Sequence, residues 1–377
     1  MFSTKLCSIN GFSSSTHLFL KSFKRVLPSL SHGKCTATNT LEAQCKCKPQ
    51  KQVCKTVLKH FDAQYSEELG EQWSSARDVL LNPLSWQYGV LLNRFSDLTN
   101  LKQCLTELGY TNLLPQTHPE SPYQTAPIPL QCFIHRDPVR IPTQSHHPGW
   151  LKQYYLLNAA SLLPVLSLNV KEGERVLDLC AAPGGKSLAI LQTATPGFLH
   201  CNEVDQHRHD WLLKTLESYV PPTLRRLLSV TRLDGRSLGS MRPGAYDKVL
   251  VDAPCSNDRS WLYTPDTLQG EMWLKERTRL PLLQKELLCS ALAAVRPGGV
   301  VVYSTCTLSR AENQSVVEAV LASHQGVELL ELEQHLIGSL SDRFCFARIH
   351  PSVGQLVIPE KCRTWGPMYV SRLRRIY

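Results

Sequence analysis

The sequence predicts an α/β fold: a mostly parallel sheet with helices on both faces, preceded by a small, mainly helical amino-terminal region. Three observations carry this. From Arg175 onward short apolar runs alternate with helical stretches, and such alternation implies right-handed crossovers and a parallel sheet covered on both sides. From Gln52 to Gly109 apolar residues instead recur at helical spacing. At 377 residues, 42% of them hydrophobic, the chain buries a sizeable core and builds two domains or one decorated domain.

The leader comes first. Nine of the 41 basic residues and one of the 32 acids, Glu42, fall within the first 55 positions, so that stretch holds eight of the nine net positive charges. Residues 1–41 combine this with Ser13-Ser14-Ser15-Thr16 and short apolar pieces such as Leu18-Phe19-Leu20, the composition of a mitochondrial transit peptide. A basic arm that stays attached is the plainer reading. A secretory signal fits less well, because the apolar run is short and is followed by Lys21, Lys24 and Arg25. The rest of the chain is nearly neutral, so any nucleic-acid footprint on the folded body must be a local patch. No apolar run approaches the roughly 18 residues of a membrane span, so no membrane insertion is expected. The 14 cysteines lack the dense spacing of a disulfide scaffold and favour a reducing compartment. Cys45, Cys47 and Cys54 have no second ligand pair at zinc-like spacing, so no metal is expected.

In residues 52–150, Val57, Phe61 and Tyr65 are four apart, with Gly70 as a stop, and predict the first helix. Further helices are predicted over 73–81, ended by Asn82-Pro83, over 86–95, and at Leu98, Leu101, Leu105 and Leu108 behind Ser96-Asp97. Five prolines mark 115–129 as a linker, and 131–135 reads as a strand. Residues 151–377 begin with an apolar helix over 154–168. Strands follow at 175–179, 198–202, 228–233, 248–251 and 300–303.

In open α/β sheets ligands bind beyond the carboxyl ends of the strands, where the winding direction reverses. The first such loop reads Asp178-Leu179-Cys180-Ala181-Ala182-Pro183-Gly184-Gly185-Lys186-Ser187. Its small residues admit a cofactor close to the backbone, and the next helix offers free amides at its start. The loop matches neither GxGxxG nor GxxxxGK[ST], and a tight turn after a core strand is the bland alternative. Glu203, after the second strand, is placed to accept from both hydroxyls of a ribose. Asp234, before Gly235 after the third, is placed to accept from an adenine amino group. Together they favour an adenosine-containing cofactor. The fourth and fifth strands end in Asp252-Ala253-Pro254-Cys255-Ser256 and Ser304-Thr305-Cys306-Thr307-Leu308. A lone cysteine near a core strand is usually an inert hydrophobe, but two at one rim suggest covalent catalysis. A thiol that attacks carbon 6 of a pyrimidine turns carbon 5 into a nucleophile able to accept a methyl group. Asp252 can bond the ring edge and stabilise the charge created.

In this order, the segments 178–186, 252–256 and 297–307 and the dipeptide Glu312-Asn313 resemble the Nop/Sun family of RNA cytosine-5 methyltransferases, over about residues 151–377. The resemblance implies a Rossmann-like class I fold that uses S-adenosylmethionine. It implies Cys306 as nucleophile, Cys255 as an aid to product release, and Asp252 and Lys186 at the target base. The cofactor would lie among Cys180, Ala181, Ala182, Pro183, Gly184, Gly185, Lys186, Glu203, Asp234, Gly235 and Asp252. Residues 154–161, 252–262 and 365–369 are further similar to mitochondrial members that methylate the wobble cytidine, anticodon position 34, of methionine transfer RNA (tRNA). With the leader, that implies mitochondrial methionine tRNA as the RNA partner and the mitochondrial matrix as location. Mitochondrial members acting on ribosomal RNA are the alternative.

Other classes compete less well. A nicotinamide-dependent dehydrogenase shares the sheet and an acid like Glu203 but needs GxGxxG. A non-enzymatic RNA-binding module leaves Cys306 unexplained. A DNA cytosine methyltransferase shares the covalent chemistry and has a motif similar to Glu312-Asn313, but the Ser-Thr-Cys loop resembles that of the RNA enzymes. Two readings stay open for Lys186, action on the base or support of the turn. Two also stand for Arg372, Arg374 and Arg375, phosphate contact or a solvated cluster. The family's separate RNA-binding domains have no clear counterpart, which leaves Lys55, Lys59 and the helices of 52–109 as a further candidate contact.

Overall fold

The computed structural model describes residues 52–114, 130–264, 266–332, 334–348 and 353–377. The leader, with Cys45 and Cys47, and the proline-rich segment 115–129 lie outside the described residues.

The chain enters through α1 (Lys55–Leu69) and α2 (Glu71–Leu80). Val57, Phe61 and Tyr65 form one fully buried stripe along α1, and Gly70, at φ +55°, ends that helix and turns the chain into α2. Burying Val57 and Phe61 contributes about 1.5–3 kcal/mol each, which fastens α1 to the body. Residues 86–95, expected as helix, instead contain the strand β1 (Gly89–Leu92), all four residues of which are buried. A short apolar run has no periodicity to separate helix from strand, and pairing on both edges decides it. The expected helix α3 (Thr99–Glu107) follows, then β2 (Thr111–Asn112), β3 (Cys132–Ile134) and β4 (Tyr154–Leu157). They form an antiparallel sheet in the order β2-β3-β1-β4.

β4 corrects the helix expected over 154–168. Tyr154 to Leu157 pair with β1, the Asn158 side chain accepts from the Ala160 amide to start a 3-10 turn, and only α4 (Leu163–Leu168) is α-helical. The small sheet thus includes strands from both sides of residue 150.

The large sheet is built by β5 (Arg175–Asp178), α5 (Gly185–Thr193), β6 (Phe198–Asn202), α6 (Gln206–Tyr219), β7 (Leu228–Thr231), α7 (Gly235–Met241) and β8 (Tyr246–Asp252). Next come α8 (Asp258–Trp261), α9 (Thr267–Arg277), α10 (Leu280–Ala294), β9 (Val295–Thr305), α11 (Gln314–Ser323), β10 (Val327–Leu330), α12 (Gln334–Leu340), β11 (Gln355–Val357) and β12 (Met368–Arg375). Strand order is β10-β12-β9-β8-β5-β6-β7, with β11 on β12. The pairs from β7 through β9 are parallel, and β12 runs antiparallel to both of its neighbours in that order. This is the expected Rossmann-like arrangement. Winding goes outward from β5 to β7 and then returns to β8 on the other side of β5, so the switch point lies between β5 and β8.

Both faces of this sheet are covered. Leu188, Ile190 and Leu212 belong to one buried cluster, and Leu287, Leu288 and Tyr303 to the other. Phe61, Tyr65 and Trp73 of the amino-terminal helices join the second cluster. Gly270 permits this, since a Cβ there would stand 2.8 Å from Cys54 Sγ and 3.2 Å from Val57.

Candidate active site

At the switch point Asp178 ends β5 and Asp252 ends β8, and the loop after Asp178 forms one wall of a cleft. Cys180, Ala181, Ala182, Pro183, Gly185, Lys186, Asp178 and Asp252 line it together with Tyr155, Leu157 and Ser161. Gly184 adopts φ +105°, and a Cβ there would meet Thr215 at 3.0 Å and Leu212 at 3.1 Å. At Gly185 a Cβ would lie 2.9 Å from the Tyr155 ring. The two glycines therefore serve close packing against α6 and β4 as well as the turn itself.

Asp178, quoted in the motif but given no role from sequence, is fully buried. Ser187 Oγ donates to its Oδ2 at 2.6 Å, while Oδ1 has no hydrogen-bond partner. Burial pushes its carboxyl up to about 7, Ser187 opposing and the nearby Asp252 adding to the rise. Glu203 is 3% exposed and accepts from the Asp205 amide at 3.1 Å through Oε1. No hydrogen bond reaches its Oε2, which has only the Arg208 guanidinium at 3.3 Å. Asp234 is already engaged: it caps α7 through the Arg236 amide and forms a forked pair with the Arg236 guanidinium, 2.6 Å at its closest. Gly235 is a packing site, where a Cβ would press on Leu287 at 2.8 Å.

Lys186 Nζ donates to Asp252 Oδ2 at 2.7 Å. Burial works against the ammonium, but Asp252, with Cys306 and Asp178 behind it, outweighs that and holds its pKa above the ordinary value. Ser304 Oγ donates to the other Asp252 oxygen at 3.0 Å.

The register that sets Asp252 opposite Ser304 brings the two cysteine loops together. Cys255 Sγ and Cys306 Sγ are 3.3 Å apart, and the Cys306 amide donates to Cys255 Sγ at 3.3 Å. Both are free thiols, well beyond the 2.05 Å or so of a disulfide. The hydrogen bond to Cys306 is the largest cause raising the Cys255 pKa well above its ordinary value, followed by burial and by the charges of Cys306 and Glu312. Cys255 is therefore held in its protonated form.

Beneath the thiols lies a buried polar network that sequence reasoning missed. Tyr65 of α1 donates to Asp258 Oδ1 at 2.8 Å, and the Leu308 amide donates to Asp258 Oδ2 at 2.7 Å. Arg277 reaches both the Tyr65 hydroxyl, at 2.6 Å, and Glu312, at 3.3 Å. No local spacing announces these contacts. The segments behind the tRNA-enzyme resemblance also converge: Asn158 exchanges two hydrogen bonds with the backbone of Gly366, and Arg259 Nε donates to the same carbonyl at 2.7 Å.

Beyond Tyr155 and Leu156, which line both spaces, the cleft gives onto a groove of about 600 Å³. Arg140, His146, Lys152, Lys214 and Trp211 line it, and Glu217 is the one acid among the described residues there. Trp211 is 65% exposed, and Lys152 Nζ lies 5.7 Å over the Tyr219 ring. The arginines near the carboxyl end lie elsewhere. Tyr369 pairs with Thr305 beside the Cys306 loop, whereas Arg374 pairs with Val300, towards the opposite rim. Arg374 pairs with Glu328 at 2.8 Å, and Arg375 donates to the carbonyls of Leu292, Ala293 and Val295. Among the described residues no His, Cys, Asp or Glu cluster is arranged to hold a metal, and no helix is long and apolar enough to cross a membrane.

Known proteins resemble this chain over most of its length. Residues 165–372 match the family model described as 16S rRNA methyltransferase RsmB/F. The chain is 83% identical over 366 residues to the "tRNA (cytosine(34)-C(5))-methyltransferase, mitochondrial" of Danio rerio, covering 97% of this chain and 100% of that one. Its identity to the Mus musculus protein of the same name is 49%, covering 89% and 94%. A 5-cytosine rRNA methyltransferase of Mus musculus is 39% identical, covering 87% and 91%. Among solved structures, NSun6 from Pyrococcus horikoshii with SFG superposes with a TM-score of 0.61 at 18% identity, covering 86% and 98%, and shares the fold. The chain belongs to the RsmB/F, or Nop/Sun, family of methyltransferases.

Proposed function

We propose that this protein transfers a methyl group from S-adenosylmethionine to carbon 5 of the wobble cytidine, anticodon position 34, of mitochondrial methionine tRNA. The observation that carries the chemistry is the 3.3 Å approach of two free sulfurs beside the Lys186–Asp252 pair. The relatives favour the tRNA over ribosomal RNA, since 83% and 49% identity to enzymes named for cytosine 34 of tRNA exceed 39% to one named for rRNA.

The residues fit the cofactor. Asp178 Oδ1 and Glu203 Oε2 are buried acceptors without hydrogen bonds, suited to an ammonium and a ribose hydroxyl, and the loop 180–186 would hold the rest. When bound, S-adenosylmethionine supplies the electrophilic methyl group that an activated carbon 5 accepts. The chain's own part begins with Cys306, which gives its thiol proton to water; the sulfur pair then bonds carbon 6 while the 5,6 double-bond pair moves to carbon 5. Asp252, held by Lys186 and Ser304, is placed to bond the ring edge. For release the hydrogen on carbon 5 leaves as a proton, its bonding pair re-forms the double bond, and the carbon–sulfur pair returns to Cys306. Cys255 is the nearby acceptor for that proton once it has shed its own to water. The basic, aromatic groove beside Tyr155 would carry the flanking RNA backbone.

The organisation read from sequence completes the proposal. Residues 1–41 are a mitochondrial transit peptide delivering the enzyme to the matrix, 52–150 form the amino-terminal region and 151–377 the catalytic domain. The test is labelled methyl incorporation into methionine tRNA transcripts with cytidine or uridine at position 34, and into ribosomal RNA. Label only in the cytidine-34 transcript is expected; label in ribosomal RNA would transfer the assignment to the alternative. Deleting residues 1–41 should leave methylation intact and move the protein out of mitochondria.

A further inference from the structure

We propose that Glu312 and Asn313 are a positioning pair that sets the relation between the two reactive sulfurs, Glu312 through the Cys255 loop and Asn313 through the Cys306 loop. This rests on the covalent chemistry proposed above. The sequence marked the dipeptide only as part of the resemblance, and the structure gives it a task.

Glu312 is 1% exposed. Its carboxylate accepts from the amide of Ser256 at 2.9 Å and from the Ser256 hydroxyl at 2.6 Å, so it grips both donors of the residue after Cys255. Gln284 and Arg277 complete its shell at 3.1 and 3.3 Å. Asn313, 2% exposed, accepts from Thr305 Oγ1 and donates to the Thr307 carbonyl at 2.9 Å, the residues on either side of Cys306. One planar peptide joins the two residues, so both cysteine loops are anchored to one stretch of backbone, each through its own side chain. Buried polar groups that lose partners are costly, so each of these bonds resists a shift of the loop it anchors.

The two positions predict opposite failures. In Glu312→Gln the amide nitrogen must face donors, either the Ser256 and Gln284 N–H groups or the Ser256 hydroxyl and Arg277. The Cys255 loop loosens, and release should slow. In Asn313→Asp a carboxylate oxygen faces the Thr307 carbonyl. The Cys306 loop loosens, and attack should slow. Neither change alters side-chain volume.

The experiment follows the covalent protein–RNA adduct by quenched denaturing electrophoresis, using full-length protein, S-adenosylmethionine and a methionine tRNA transcript. Glu312→Gln should accumulate adduct and turn over roughly ten- to hundredfold more slowly. Asn313→Asp should form adduct more slowly by a similar factor, with no accumulation. Affinities for S-adenosylmethionine and for the transcript should stay within about twofold, since neither residue lies in the cofactor loop. A purely structural role predicts the same proportional loss in both variants, and that result, or unchanged adduct kinetics, overturns the proposal. Should either isostere fail to bind S-adenosylmethionine, Ser256→Ala and Thr305→Val cut the same anchors from the other side. They must reproduce the opposite pair, and equal losses in them overturn the proposal as well. Cys255→Ala with the dipeptide intact separates the levels: no adduct there means the covalent reading itself is wrong.

Discussion

Lys186 Nζ stands 2.7 Å from Asp252 Oδ2 while Ser304 Oγ holds Oδ1 at 3.0 Å, so the acid that ends β8 is gripped from the β5 turn and from β9 at once. Lys186 remains charged because this carboxylate more than offsets its burial. Asp252→Asn should cut single-turnover methyl transfer by roughly 10²–10³ and lower the melting temperature, because a buried ammonium loses its partner. Adding Lys186→Met should restore the melting temperature without restoring activity. A double variant that regains activity would reduce the pair to a support for the turn.

The two thiols should fail in different ways. Cys306→Ala should abolish both methyl transfer and adduct, since carbon 5 is never activated. Cys255→Ala should still attack and should accumulate an adduct that disappears when Cys306 is also replaced. Stable adduct in Cys306→Ala would reverse the two roles.

Release should speed up as pH rises. Cys255 is held protonated chiefly by its hydrogen bond to Cys306, and a thiol cannot accept the carbon 5 proton until it ionises. Once Cys306 is bonded to carbon 6 its sulfur is a neutral thioether, so its hydrogen bond and charge no longer raise the Cys255 pKa, although burial and Glu312 still do, and ionisation becomes easier as release falls due. Adduct breakdown, measured by rapid quench between about pH 6 and 9, should increase in the wild type and be flat in Cys255→Ala. A flat wild-type profile would remove Cys255 from the step.

RNA affinity should depend on the groove and not on the far rim. Lys152→Glu with Lys214→Glu should weaken transcript binding by about tenfold or more at low salt and flatten its salt dependence. Arg374→Glu, whose parent already pairs with Glu328 away from the thiols, should change affinity little. The reverse ranking would place the RNA across β10 and β12.

Asp178 predicts a conflict between stability and cofactor binding. Its carboxyl is raised from an ordinary 3.8 to about 7 by burial, so the folded state keeps a proton that the unfolded chain sheds. Stability from this group is therefore full below about pH 4, declines through about pH 7, and stays low above it. Asp178→Asn should raise the melting temperature of cofactor-free protein at pH 8, give little at about pH 4, and weaken S-adenosylmethionine binding. An equal shift at both pH values would rule out ionisation as the cause. Among the acids after β6 and β7, Glu203→Ala should weaken the cofactor more than Asp234→Ala, because Asp234 is already committed to Arg236.

The candidate site was legible in the sequence because its residues sit in contiguous loops at strand ends: Cys180 to Lys186, Asp252 to Cys255, and Cys306 each follow a strand whose apolar run is plain. β1 and β4 were not, because four apolar residues fit a helix or a strand equally and the pairing of Gly89 with Leu157 is a tertiary fact. Distance along the chain hid the rest. Tyr65 and Asp258 are 193 positions apart, and the charge run at Arg372 to Arg375 revealed nothing of the rim it occupies. The Asn158, Arg259 and Gly366 segments carried the resemblance as three separate patterns, yet they meet at one carbonyl.

β12 follows every other described strand in the chain but lies between β9 and β10, and α1 precedes them all yet supplies Tyr65 to the floor beneath Cys306. The earliest helix must wait for late partners, which is slow to assemble because long loops have to close first. A chain halted before Asp258 or before β12 would lack, respectively, the Tyr65–Asp258 bond or the β9–β12 pairing that braces the loop carrying Cys306. The loop that carries Cys306 thus rests on both ends of the described chain, the first helix through Tyr65 and the last strand through the β9–β12 pairing.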